Sequence, residues 1–396
     1  MPAPMTRPRR ALMFLIDGFD PAYVQPARMP RLAGLMQAGA STLDGRGVLP
    51  SLTNVNHVSL LTGTYPERHG LSTNFYYDRT TRTEVFMEQV TFVREPLLFE
   101  RLKTAGWSTA LVTAKEKLTK LLRRGLDSCV DMKTHPDGYR RTVGAPPDIF
   151  SLEINLWVLR MAREVALREH PDFLYVATTD YPQHKLGPDE PAMQAYLAES
   201  DEILGQLVEA YDLSESVVVL AADHGMNAKS RSVSPVRVLA EAGLHAHGVP
   251  LIRDGLFAHH RDLGGALYLY FDDPGVAREA QAVLAQVAGI DDVLSREEAG
   301  RDRLPPDRVG DLICWGAREV ALGIWPDGPA ARDERGLRSH GSKHEQRIPM
   351  LLAGCGVRPG VELRGAETVD LMPTLCRLAG VDAGPVQGRV LEEALA

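Results

Sequence analysis

Four short segments place acids and imidazoles beside apolar runs. Asp17 ends Leu15-Ile16-Asp17-Gly18, and Asp180 and His184 follow the run Phe173–Ala177. Asp223-His224-Gly225 follows Ser216–Ala221, and Ser339-His340-Gly341 precedes Ile348–Ala353. Carboxylate and imidazole together are a normal donor set for Zn²⁺. Singly the signals are weak, because an Asp after a strand often caps the next helix, and a His four residues on can be a surface residue. Asp223-His224 is harder to dismiss, since two ionisable groups at a buried strand end are costly unless paired or metal-bound. Together the segments supply three Asp and three His. That set suits two divalent cations, each with a position open to substrate. Zn²⁺ fits best, with Mn²⁺ and Fe²⁺ as alternatives. His344 lies four residues beyond His340 and competes with it as the last ligand; the sequence leaves that choice open.

A nucleophile is available in Pro50-Ser51-Leu52-Thr53-Asn54-Val55-Asn56-His57, which runs into Val58–Thr62 and Gly63. A hydroxyl is a weak nucleophile until a base or a metal ion lowers its pKa. Thr at a helix start is ordinarily an N-cap. A helix N-terminus also stabilises phosphoryl oxygens, so Thr53 can serve both roles. Two cations about 4 Å apart clamp the attacking and leaving sides of an in-line displacement at phosphorus.

The elements that must carry these residues alternate. Ala11–Ile16, Ser108–Thr113, Phe173–Ala177 and Ser216–Ala221 read as buried strands. Met29–Ala38, Pro96–Ala105, Leu152–Arg168 and Met193–Tyr211 read as amphipathic helices. Such alternation predicts an α/β fold, a mostly parallel sheet flanked by helices on both faces. Asp17, Lys115, Asp180 and Asp223 then sit at strand C-termini, where open α/β sheets bind ligands. Segment 246–333 changes character: Gly264-Gly265, a strand-like Ala266–Phe271, a helix-like Val276–Val287, a Pro305-Pro306 turn and no clustered acid/His chemistry. It reads as an α+β cap inserted between core pieces 1–245 and 334–396, the core returning with Ile348–Ala353 and the helix Met372–Ala379.

Composition narrows the function. With 44% hydrophobic and 24% charged residues over 396 positions, the chain can bury a core without disulfides. The net charge of −8 argues against nucleic acid as a partner, but not against a small anionic substrate. Cys129, Cys314, Cys355 and Cys376 form no CxxC pair, so they read as buried reduced thiols in a cytoplasmic protein. Arg7, Arg9 and Arg10 precede an apolar run, as in a signal peptide. That run meets Asp17 too early and reads better as the first strand. No segment approaches the roughly 18–20 apolar residues of a membrane span. Oligomeric state stays open, a homodimer being one option.

The run Thr53-Asn54-Val55-Asn56-His57-Val58-Ser59-Leu60-Leu61-Thr62-Gly63-Thr64-Tyr65-Pro66-Glu67-Arg68-His69-Gly70 resembles the nucleophile segment of the alkaline phosphatase superfamily. It is similar to both the nucleotide pyrophosphatase/phosphodiesterases and the phosphonoacetate hydrolases. Asn74-Phe75-Tyr76-Tyr77-Asp78, Val112-Thr113-Ala114-Lys115-Glu116-Lys117-Leu118, Thr178–Lys185 and Ala222–Lys229 tilt the resemblance toward the latter. The resemblance implies one metal held by Asp17, Thr53, Asp223 and His224 and a second held by Asp180, His184 and His340. It also implies a phosphonate contact from Asn74, further substrate contact at Thr53 and His184, and Lys115 and Lys117 on the substrate's anionic groups. The reaction it implies is hydrolysis of the C–P bond of phosphonoacetate to acetate and phosphate through a phospho-Thr53 intermediate. For both lysines to face one substrate, a helix must begin at or after Glu116, because residues two apart on a helix diverge. The rival reading is a nucleotide phosphodiesterase or phosphomonoesterase using the same metals, with Phe75, Tyr76 and Tyr77 as a base-stacking slot. A catalytically dead binding protein would be expected to lack a ligand or the nucleophile, and none is missing.

Overall fold

A computed structural model describes residues 7–135, 137–255 and 257–396. Its large sheet has eight strands among these residues. In spatial order they are Val361–Glu362, Ala40–Arg46, Arg347–Gly354, Ser216–Ala221, Arg10–Leu15, Phe173–Ala177, Thr109–Thr113 and Ser128–Val130. Arg347–Gly354 runs antiparallel to both neighbours, and the other pairings are parallel. The central strands are buried along their whole length, as parallel strands covered by helices on both faces must be. The flanking helices include Pro30–Ala38, Leu98–Thr104, Glu153–Arg168, Pro191–Val208 and Thr368–Ala379. This is the α/β architecture that the alternating pattern predicts.

Three strands of this sheet escape the hydrophobic pattern. Ala40–Arg46 is half exposed and interrupted by Asp44-Gly45. Gly45 is needed there, since a Cβ would meet the Met350 side chain and the Ile348 carbonyl within 3 Å. Ser128–Val130 and Val361–Glu362 are three and two residues long. The position of Ser128–Val130 at the sheet edge corrects one expectation. Cys129 is exposed there, whereas Cys314, Cys355 and Cys376 are buried. No helix among the described residues is long and apolar enough to cross a membrane.

Within 246–333 lies a second, antiparallel sheet, ordered His247–Pro250, Ala266–Tyr270, Leu312–Gly316 and Ile290–Ser295, with the helix Ala277–Leu284. A third sheet joins Val320–Leu322, Asn227–Val233 and Ala331–Ser339. It pairs strands from both sides of the anticipated cap boundaries at 246 and 333. One apolar cluster contains Leu52, Val55 and Phe75 together with Leu251, Ile252, Tyr268 and Trp315. The second sheet therefore docks on the start of the helix Thr53–Thr62. Gly264-Gly265 marks a close approach as well as a turn. Gly265 N donates to His340 O at 2.7 Å, and a Cβ on Gly265 would lie 2.4 Å from Ser342 N.

Candidate active site

The strands Ser216–Ala221, Arg10–Leu15, Phe173–Ala177 and Thr109–Thr113 are consecutive neighbours in the sheet, and Ala221, Leu15, Ala177 and Thr113 are in register. Parallel strands end on the same side and lie about 4.8 Å apart. The residues just past those ends, Asp223, Asp17, Asp180 and Lys115, are therefore set in a row. Gly18 turns the chain away at φ +68°, a conformation suited to glycine. A Cβ there would press to 3.1 Å from the Asp180 Cβ.

The three candidate histidine ligands share one geometry. His184 Nδ1 donates to Arg338 O at 2.7 Å, His340 Nδ1 to Ser51 O at 2.7 Å, and His224 Nδ1 to Gly225 O at 2.9 Å. A carbonyl only accepts, so each neutral ring carries its proton on Nδ1 and keeps a lone pair on Nε2. Those Nε2 atoms face carboxylates: His184 and His340 lie 3.1 and 3.3 Å from Asp180 Oδ2, and His224 lies 3.4 Å from both Asp17 Oδ1 and Asp223 Oδ2. The rings of His224 and His340 stack at 3.6 Å. Asp180, His184 and His340 offer donor atoms within 4.8 Å of one another, and so do Asp17, Asp180 and His224.

The charges in this cluster are unbalanced. Burial and the neighbouring Asp180 push the Asp17 carboxyl up, but the Lys115 ammonium and His224 together outweigh them and hold it below the usual carboxylate range. Burial raises Asp180 as well, and Lys115 and His184 hold it well below that range. Asp223 is pushed up to about 8 by burial and by Asp17. Burial alone would lower His224, yet Asp223 and Asp17 raise it to about 9, whereas burial brings His340 down to about 4. Asp17 Oδ1, Asp223 Oδ2 and His224 Nε2 are buried without a hydrogen-bond partner. Such atoms are costly unless something else satisfies them. Divalent cations fit these donors in kind and in charge.

Thr53 is the first residue of the fully buried helix Thr53–Thr62, and Leu52, not Thr53, occupies the N-cap. The turn before it is pinned by Asn56. Its Oδ1 accepts from Val48 N at 2.8 Å, and its Nδ2 donates to the carbonyls of Val48, Pro50 and Leu52 at 3.2–3.3 Å. Ser51 O, which holds His340, belongs to the same turn, so the candidate nucleophile and a candidate ligand are tied together. Asn74 is buried with Oδ1 unpartnered. Phe75, Tyr76 and Tyr77 share no slot. Phe75 packs on Phe86, Tyr76 meets Phe92 edge-on, and Tyr77 faces His247 and Tyr270. Alternation along the strand Phe75–Asp78 sends Tyr76 to the face opposite Phe75 and Tyr77.

The helix after Lys115 begins at Glu116, with Lys115 at its N-cap. Lys115 Nζ bonds Asp17 and lies 3.5 Å from Asp180 Oδ1. Lys117 Nζ bonds Asp254 of segment 246–333. That segment is not free of acid/His chemistry, which corrects the sequence reading. Asp254 also bonds His260 at 3.0 Å, and His259 Nε2 stands 3.6 Å from Asp180 Oδ1. The short helix Phe257–His260 carries no strand-end signal, and only docking brings it to the site. The local sequence offers nothing beyond its paired histidines.

His344 is placed away from the cluster, its Nε2 2.6 Å from Asp291 on an exposed surface. His340→Ala is therefore expected to remove about one equivalent of bound metal and His344→Ala none, as counted by elemental analysis of the two purified variants.

The His340 loop is braced from behind. Glu345 accepts from Asn227 Nδ2 at 2.6 Å, Lys229 Nζ at 2.9 Å, Ser342 N at 2.9 Å and Ser342 Oγ at 2.7 Å. Glu345 and Lys229 side chains are fully buried. Burial pushes the Glu345 carboxyl up, but Lys229 and the hydrogen bonds outweigh it and bring it to about 2. Its stabilisation is thus complete above the ordinary glutamate range and fades as pH falls through about 2. Lys229→Met leaves that carboxylate buried and unpaired. Removing one partner of such a pair costs about 3–5 kcal/mol, to be read as a lower urea midpoint at neutral pH.

Comparison with known proteins agrees with this geometry. The chain superposes on the phosphonoacetate hydrolase of Sinorhizobium meliloti 1021, solved in complex with phosphonoformate and with phosphonoacetate. The TM-score is 0.82, with 30% identity over 94% of this chain and 96% of that one. It shares its fold with murine ectonucleotide pyrophosphatase/phosphodiesterase 5 in complex with AMP, at TM-score 0.76 and 18% identity, over 98% and 100% of the two chains. A venom phosphodiesterase of Macrovipera lebetinus is 28% identical over 235 residues, 54% of this chain and 25% of that protein. The match thus spans a quarter of that relative's length. The sequence profile described as type I phosphodiesterase / nucleotide pyrophosphatase matches residues 11–342. A row of buried strand-end carboxylates, three imidazoles whose Nε2 atoms face them and this match all agree: the chain belongs to the type I phosphodiesterase / nucleotide pyrophosphatase family of metallohydrolases, in the alkaline phosphatase superfamily.

Proposed function

We propose that the protein hydrolyses the C–P bond of phosphonoacetate, giving acetate and phosphate. The observation that carries the choice of substrate is a cavity of about 450 Å³ beside the carboxylate row, lined by Lys115, Lys117, Lys120 and Lys133 with Glu88 and Glu116. Lysines suit an anionic leaving group. The full-length likeness to a phosphonoacetate hydrolase supports the same choice.

Asp180, His184 and His340 would hold one cation, and Asp17, Thr53, Asp223 and His224 the other, with zinc the cation this donor set suits best. When bound, the cations supply charge for the phosphonate oxygens and acidify the Thr53 hydroxyl. Asn74 would donate to a phosphonate oxygen, and His184 borders the same space. Thr53 Oγ1 attacks phosphorus, and the P–C electron pair leaves on carbon. The adjoining carboxylate delocalises that carbanion as an enolate. Lys115 and Lys117 stabilise it, since an ammonium has three donors and can hold a second carboxylate beside its present partner. The Thr53 hydroxyl gives up its proton to solvent water as it attacks, and a proton taken back from water at the carbanion gives acetate. Water then attacks phosphorus of phospho-Thr53, releasing phosphate and restoring the hydroxyl, so one hard step becomes two easier ones.

The deciding experiment measures phosphate release by zinc-reconstituted protein from phosphonoacetate, and in parallel turnover of a nucleotide ester and of bis-p-nitrophenyl phosphate. A higher kcat/KM for phosphonoacetate is expected. Preference for either ester would replace the C–P reading with the phosphodiesterase one.

A further inference from the structure

We infer that His259 is a positioning residue of the metal centre, reaching from segment 246–333 to fix Asp180 from outside the ligand set. The inference rests on the reading of Asp180 as a metal ligand. The orienting contacts of the other candidates come from the core. The three histidines are held through Nδ1 by backbone carbonyls. Asp223 Oδ1 accepts from Gly18 N at 3.0 Å and His224 N at 2.9 Å, and Asp17 is gripped by Lys115. Asp180 differs. Its Oδ2 faces His184 and His340 on the ligand side, while Oδ1 is buried without a hydrogen-bond partner. The polar groups facing Oδ1 are Lys115 Nζ at 3.5 Å, already bonded to Asp17, and His259 Nε2 at 3.6 Å.

His259 is built into this position. Its side chain is 5% exposed. It packs edge-on against the His184 ring at 4.9 Å, with Phe150 and Tyr181 at 5.8 and 6.4 Å. Its Nδ1 has no hydrogen-bond partner among the described residues, so no competing contact fixes the proton there. With the proton on Nε2, a shift of a few tenths of an ångström makes the contact a hydrogen bond. Outer partners of this kind orient a ligating carboxylate and commonly contribute 10–100-fold to metal affinity. Because His259 lies in segment 246–333, seating of that segment and occupancy of the Asp180 site become coupled. The next residue, His260, turns instead to Asp254 and supplies a control.

The test titrates the full-length zinc-loaded protein with a chromophoric chelator. His259→Ala is expected to weaken one of two zinc equivalents by about 10–100-fold and leave the other unchanged. His259→Gln, which keeps an N–H donor, should recover most of the loss, and His260→Ala should leave both affinities near wild type. Unchanged affinities in His259→Ala would overturn the inference. So would an equal loss in His260→Ala, or failure of glutamine to rescue, since general loosening of the segment would explain either. A wild-type protein that takes up no zinc would overturn the metal reading along with it, an outcome recognisable before any variant is made.

Discussion

Thr53→Ala is expected to lower kcat for phosphonoacetate by a factor on the order of 10⁶, the loss seen when a serine protease is deprived of its nucleophile. The fold should hardly notice. Thr53 is the first helical residue and Leu52 the cap, so no capping bond is lost. Asn56 continues to pin the turn with its four hydrogen bonds. Stability should stay within about 1 kcal/mol of wild type, and zinc content should remain close to two equivalents because six other proposed donors are untouched. The measurement is steady-state phosphate release alongside a urea melt and a metal count. Activity within tenfold of wild type would show that water attacks phosphorus directly, and the covalent route would be discarded.

The second large effect separates the two lysines. Lys117 bonds Asp254 and borders the proposed leaving-group cavity, and among the described residues it forms no ion pair with the carboxylate row. Lys117→Ala should raise KM for phosphonoacetate by roughly 10–100-fold, the worth of a charge-assisted hydrogen bond. An ester without a carboxylate should change less than about threefold, because the lost contact has nothing to hold there. Lys115 also offsets Asp17 and Asp180. Lys115→Ala should therefore damage both substrates, and phosphonoacetate more. If Lys117→Ala harms both substrates equally, the lysine serves the phosphoryl group and the carboxylate-binding role is wrong. If it harms neither, the phosphodiesterase reading takes the lead.

Asp17, Asp180 and Asp223 were legible in the sequence because parallel strands have a fixed direction, and an acid after an apolar run must emerge at the same sheet edge as its counterparts. The start of the Lys115 helix at Glu116 followed from a similar constraint on side-chain direction. The choice between His340 and His344 was not local. It depends on the bond from His340 to Ser51 O, 289 residues away. His259 and Asp254 were invisible for the same reason. Nothing near Phe257–His260 announces that Leu251, Ile252 and Trp315 will pack on Leu52 and Val55 and carry that segment over the site. Ala40–Arg46 was missed because a strand with an exposed polar half loses its alternation.

The row of strand ends is assembled from positions 17, 115, 180 and 223, with 340 arriving from beyond the second sheet. No short stretch of the chain holds a complete ligand set. In a denatured or half-assembled chain the cations have no preorganised partner, so they act as ligands of the native state alone and add RT ln(1 + [L]/Kd) to its stability. The parallel crossovers that align these strands are closed at an entropic cost before the site exists. A divalent cation bound there would therefore have little purchase on the folding barrier and would act chiefly on the unfolding rate, locking a finished core rather than recruiting one.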